Sequence, residues 1–222
     1  MIGCTIPEIL DDARAGEPVW FDDGKIGGVV EEKIAEGHRI RITHTSSQTA
    51  KLGSDKGINL PESKLDLPAI TPEDASILEF VVEHADIVAM SFANTPGDVK
   101  SLLAHIKRIG KGEPGIVLKI ETKRGFENLP AMLLEAMKSK SCGVMIARGD
   151  LAVETGFERL AEVQEEILWL CEAAHVPAIW ATQVLETLAK QGSATRAEIT
   201  DAPWDTGRSA SCSTRARTSS KP

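Results

Sequence analysis

The 222 residues contain no CxxC pair; Cys4, Cys142, Cys171 and Cys212 are scattered along the chain. That spacing gives no zinc site, and it fits a reduced, cytoplasmic protein. No apolar run reaches the ~18 residues of a membrane span. The N-terminus, MIGCTIPEILDDARAGE, lacks the basic start and apolar core of a secretory signal. A basic excess is missing too. The formal net charge is −8, which argues against a nucleic-acid partner, because such a surface needs a basic stripe. The five histidines (His38, His44, His84, His105 and His175) show no ligand spacing. The composition, 42% hydrophobic and 26% charged, is that of an ordinary globular chain, long enough for one domain with a small appendage.

Two patterns divide the chain. Residues 1–67 are β-prone: Val19-Trp20-Phe21 and the run from Ile26 to Val30 flank an Asp22-Asp23-Gly24 turn, which predicts a hairpin. Residues 39–43, RIRIT, alternate as a half-buried strand does. Residues 51–70 are turn-rich and read as a connection. From Thr71 strands alternate with helices. Thr71-Pro72 and Thr95-Pro96 each place a capping hydroxyl before a proline at the first helical position. Strands are expected at 86–92, 115–121, 143–150 and 177–183. Helices are expected after each cap, around 127–138, along Leu160–Ala174 and from Val184. Trp169 and Trp180 read as core. The four strands are apolar nearly throughout, as in a parallel sheet covered on both faces. An open doubly wound sheet and part of a closed (β/α)8 barrel both satisfy this pattern.

The chemistry sits at the strand ends. Lys119 and Glu121 are two apart and share a face of one strand. Arg148 and Asp150 are spaced likewise near the end of the next, and Ala181-Thr182-Gln183 ends the fourth. Ligands of α/β folds bind at the carboxyl ends of parallel strands, so Lys119, Glu121, Asp150 and Thr182 could share a pocket. Two carboxylates with open positions suit Mg²⁺ that also takes a substrate oxygen. A lysine beside them suits a developing enolate or a transferring phosphoryl group, and Gly149 allows close approach to the backbone. The alternative is a set of structural ion pairs. Arg148-Gly149-Asp150 also spells an adhesion tripeptide, but it ends an apolar strand rather than an exposed loop.

These residues resemble the pyruvate kinase family. The motifs are Asp55-Lys56-Gly57-Ile58-Asn59-Leu60-Pro61, Lys119-Ile120-Glu121, Met145 to Leu151, Ala181 to Glu186, and Thr195-Arg196-Ala197-Glu198. They occur in the family's order and spacing between about Gly3 and Asp201, with most likeness to its bacterial branch. The resemblance implies a partial (β/α)8 TIM barrel of about four βα units at 68–201 and part of a small β-rich lid domain at 1–67. It implies transfer of the phosphoryl group of phosphoenolpyruvate to ADP, giving pyruvate and ATP. Lys119 would be catalytic, Glu121 and Asp150 would hold Mg²⁺ (or Mn²⁺), and Ala147, Gly149, Asp150 and Thr182 would bind substrate. Lys56 would lie near the nucleotide. The usual K⁺ ligands fall in family segments that precede Met1, so the chain is expected to be truncated at both ends, with a homo-oligomeric partner or a complementing chain. Residues 202–222, small and basic, are expected to be a structureless tail. The codons of Pro203–Thr206 and Ser211–Ala216 permit Met-Gly-His and Val-Met-Leu-Asn-Lys-Gly in a shifted frame, so a frameshift product is the sharper expectation. The competing functions are a Mg²⁺-dependent lyase (aldolase) acting on pyruvate or its enolate, and a non-catalytic remnant.

Overall fold

The computed structural model describes residues 2–65, 67–181, 184–205 and 209–212. They form two sheets. The first is antiparallel. Strand β1 (Pro18–Phe21) pairs with β2 (Ile26–Ile34) from Phe21↔Ile26 onward, which is the hairpin the Asp-Asp-Gly turn predicts. Asp22, Asp23 and Gly24 take φ of 51°, 55° and 81°, the left-handed region that Asp and Gly enter at least cost. Strand β3 (Gly37–Thr45) extends the expected 39–43 strand in both directions and pairs with β2. The segment read as a plain connection contains β4 (Ile58–Asn59), paired with β1 through Trp20↔Asn59. The order is β3-β2-β1-β4. Val19, Phe21, Ile26, Val30 and Leu60 form a small core of their own, which lines a cavity of about 650 Å³.

The second sheet is parallel, in the order of the sequence: β5 (Ile87–Met90), β6 (Gly115–Ile120), β7 (Cys142–Ala147), β8 (Ala178–Ala181) and β9 (Ser209–Cys212). Helix α1 (Pro72–His84) precedes β5, and α2 (Pro96–Ile109) follows it. Both begin with capping boxes, Thr71 with Asp74 and Thr95 with Asp98. Helix α3 (Lys123–Ala136) starts four residues before the expected 127, because Thr122 caps it by accepting the Gly125 N–H. Two helices, α4 (Arg148–Thr155) and α5 (Leu160–Ala173), join β7 to β8. Helices α6 (Glu186–Gln191) and α7 (Arg196–Asp205) precede β9. Ile116, Leu118 and Ile120 of β6 and Val144 and Ile146 of β7 are fully buried between α2, α3 and α5 residues. Each such side chain contributes roughly 1.5–3 kcal/mol by leaving water.

Four expectations are corrected. The third strand ends at Ala147 rather than 150, so Arg148 and Asp150 lie in the first turn of α4 and not on a strand face. The parallel sheet is not covered throughout: β5 is an edge strand and Ile87 is 60% exposed. Trp180 is core, but Trp169 is 58% exposed on α5. The stretch from 202 is not structureless over its described part, since α7 runs to Asp205 and β9 pairs with β8 from Ala178↔Ser209 to Ala181↔Cys212. The rest of the expected tail, residues 206–208 and 213–222, lies outside the described residues.

Candidate active site at the carboxyl ends of the parallel strands

The last residues of β5, β6 and β7 stand side by side, in the register Lys119↔Met145 and Ile120↔Ile146. Alternation in β6 buries Leu118 and Ile120 in the core and leaves Lys119 on the other face. Its Nζ lies 2.6 Å from Glu121 Oε1 and donates to Ser91 Oγ at 2.8 Å. The Phe92 N–H donates to Glu121 Oε2 at 2.7 Å. Phe92 has a φ of 50°, so the backbone turns sharply as it leaves β5. Glu121 is 3% exposed. A carboxylate so buried is tolerated only when paired and hydrogen-bonded, and here both oxygens have partners. The same-face reading of Lys119 and Glu121 therefore holds as an ion pair at the strand end.

Ala147 precedes α4 as its N-cap residue, with φ −87° and ψ 80°. Asp150 lies in the first turn, where the helix dipole favours a carboxylate. Nothing stands within 4 Å of where a Cβ on Gly149 would be, so the backbone there faces open space. The Arg148 guanidinium lies over the Trp180 ring, 5.3 Å from its centre. The adhesion-like tripeptide is thus the start of a helix with its arginine stacked on the core. Thr182 lies outside the described residues.

The antiparallel sheet reaches this helix. Asn59 of β4 donates through Nδ2 to Asp150 Oδ1 at 3.4 Å. A Cβ on Gly24 would come within 3.2 Å of Val153 Cγ2 on α4, which seats the Asp22–Gly24 turn on the same helix. Beside that turn, Asp22 takes Lys25 Nζ and Lys56 Nζ, each at 3.1 Å. Hydrogen bonds from Lys25 and then Lys56 hold the Asp22 carboxyl below the usual range. Lys56, two residues before β4, is therefore tied to the turn that packs on α4.

Sequence reasoning missed Glu154. It lies one turn beyond Asp150, and burial pushes its carboxyl up to about 7. The Asp150 charge adds to the rise, against hydrogen bonds from the Asn59 side chain and the Lys123 N–H. The i, i+4 spacing to Asp150 would have marked Glu154, had RGDLAVET read as a helix. Among the described residues no three His, Cys, Asp or Glu side chains group as a metal site. Among them, too, no helix is long and apolar enough to cross a membrane.

A strand-end lysine paired to a buried glutamate, with an aspartate opening the next helix, is the setting in which comparison with known proteins becomes informative. A family model described as pyruvate kinase, barrel domain, matches residues 1–205. Pyruvate kinase of Clostridium acetobutylicum is 34% identical over 201 residues, 89% of this chain and 41% of the relative. That of Lactobacillus delbrueckii subsp. bulgaricus is 33% identical over 202 residues, 90% of this chain and 33% of the relative. Human pyruvate kinase PKLR is 35% identical over 196 residues, 88% of this chain and 32% of the relative. Bacterial and human relatives thus match to a similar degree, and the chain spans between about a third and two fifths of their length. Across nearly its whole described length, this chain belongs to the pyruvate kinase family.

Proposed function

We propose that the chain carries the catalytic centre of a pyruvate kinase-type phosphotransferase, moving the phosphoryl group of phosphoenolpyruvate to ADP in glycolysis. The observation that supports this most is the Lys119–Glu121 pair at the end of β6, with Asp150 opening the helix that follows neighbouring β7. In such a transfer the bond from phosphorus to the enol oxygen breaks as the bond to the ADP oxygen forms, and charge spreads over the equatorial oxygens. Lys119 is the cation that holds this charge. Its contacts with Glu121 and Ser91 fix the ammonium in place beforehand, which is how a preorganised charge lowers a barrier.

Glu121 and Asp150 are the residues that would hold Mg²⁺ or Mn²⁺, whose charge would offset that on the phosphoryl oxygens. The donor set fits. Mg²⁺ often takes one or two protein carboxylates together with substrate oxygens and water, and each carboxylate oxygen keeps a lone pair beyond its present hydrogen bond. The open backbone at Ala147 and Gly149, together with Asp150 and Thr182, forms the substrate cradle in this reading. Lys56 lies towards the nucleotide. K⁺ belongs to the proposal without ligands assigned from this chain. Residues 1–67 are read as part of a lid and 68–201 as part of a (β/α)8 barrel, in the cytoplasm, completed by a homo-oligomeric partner or a complementing chain.

A coupled assay of pyruvate formation from phosphoenolpyruvate and ADP tests the reading. The expected result is ADP-dependent pyruvate formation that falls by about 10²–10³ in Lys119→Met, the usual loss of a charge-stabilising group. Equal rates in parent and variant contradict it. Aldol cleavage without nucleotide supports the lyase instead, and a folded chain that forms no product supports the remnant.

A further inference from the structure

Asn59 is 7% exposed at the end of β4, and a buried side-chain amide must find partners. Its Nδ2 donates to Asp150 Oδ1 on the neighbouring helix at 3.4 Å. Asp150 and Glu154 are four apart on α4 and so share a face, where two negative charges would repel. The Asn59 amide, donating to Asp150, offsets part of that repulsion. The Asp22–Gly24 turn of the same sheet also packs on α4, where a Cβ on Gly24 would come within 3.2 Å of Val153 Cγ2, so the antiparallel sheet meets the helix that carries Asp150 at two places.

We propose that Asn59 is a positioning residue: its amide is a brace that holds Asp150 for metal binding, so that the seating of the antiparallel sheet governs metal affinity. The inference rests on the metal-binding reading of Glu121 and Asp150. The brace acts through Asp150 and touches no reacting atom. It makes the two-residue strand β4 a functional contact, because losing its amide frees the Asp150 carboxylate from the antiparallel sheet.

The test is Mn²⁺ titration by electron paramagnetic resonance on the full chain. Asn59→Leu keeps the size of the side chain and removes both donors, and Asn59→Ala removes the side chain beyond Cβ. Each is expected to weaken Mn²⁺ binding about tenfold while the circular-dichroism spectrum stays that of the parent; tenfold corresponds to roughly 1.4 kcal/mol. A folded variant with the parent's affinity overturns the brace. A parent that binds no Mn²⁺ overturns the metal reading and the brace with it. Should neither variant fold, the unmutated chain decides. It has only three asparagines, Asn59, Asn94 and Asn128, so the Asn59 side-chain amide can be assigned by elimination. That resonance is expected to shift with Mg²⁺ along the Mn²⁺ binding curve, and an amide that does not move overturns the proposal.

Discussion

At the scale of single residues, the carboxyl furthest from its ordinary chemistry is that of Glu154, pushed by burial up to about 7. Its folded value lies above the model value of 4.5, so between those two pH values the folded chain keeps a proton that the unfolded chain has lost. Raising the pH through that window therefore favours unfolding. In chelator-treated protein the difference between parent and Glu154→Gln should change by on the order of 3 kcal/mol between pH 4.5 and 7.5, at 1.36 kcal/mol for each pH unit. Urea melts at several pH values read this directly, and parallel pH profiles in the two proteins would contradict the buried carboxyl. Lys119 and Glu121 were legible in the sequence because a two-residue spacing in a strand fixes a shared face. Glu154 and Asn59 were not. Asn59 meets Asp150 across 91 positions of sequence, a separation that no local pattern spans.

At the scale of elements, the helix starts were the most legible features, because a cap is a local arrangement. Thr95 accepts the Asp98 N–H and Asp98 accepts the Thr95 N–H, all within four residues. Thr95→Ala should cost about 1 kcal/mol. Ile120→Ala should cost about 2–5 kcal/mol, because Ile120 is fully buried and its loss leaves a cavity. Thermal melts of the two variants test this ordering, and a larger loss in Thr95→Ala would reverse it. Helix α4 was illegible for a physical reason: RGDLAVET carries a glycine near its start and follows an apolar strand without a turn signal. Its buried residues Leu151, Ala152 and Val153 are consecutive rather than periodic, so no helical face shows, and Arg148 to Asp150 read as the end of the strand. Strand β9, Ser-Ala-Ser-Cys, has no apolar run at all and forms through backbone pairing with β8.

At the scale of the whole molecule, the parallel class of the second sheet followed from apolar patterning, while exposure at the edges did not. Among the described residues β5 pairs with β6 alone, and Ile87 on this edge and Ile77 and Phe80 on α1 are exposed. An open apolar strand edge recruits other strands. The purified chain should therefore self-associate as concentration rises in light scattering, and Ile87→Lys should reduce this. A monomer at every concentration with a single cooperative melt would contradict an incomplete sheet. In the proposed function, Lys119, Glu121 and Asp150 form one site for a divalent ion and a phosphorylated substrate. Mn²⁺ titration in the presence of phosphoenolpyruvate tests this most directly. One ion should bind each parent chain, with affinity at least about tenfold lower in Glu121→Gln and in Asp150→Asn, a loss of roughly 1.4 kcal/mol or more. No binding by the parent, or equal binding by folded variants, would contradict it.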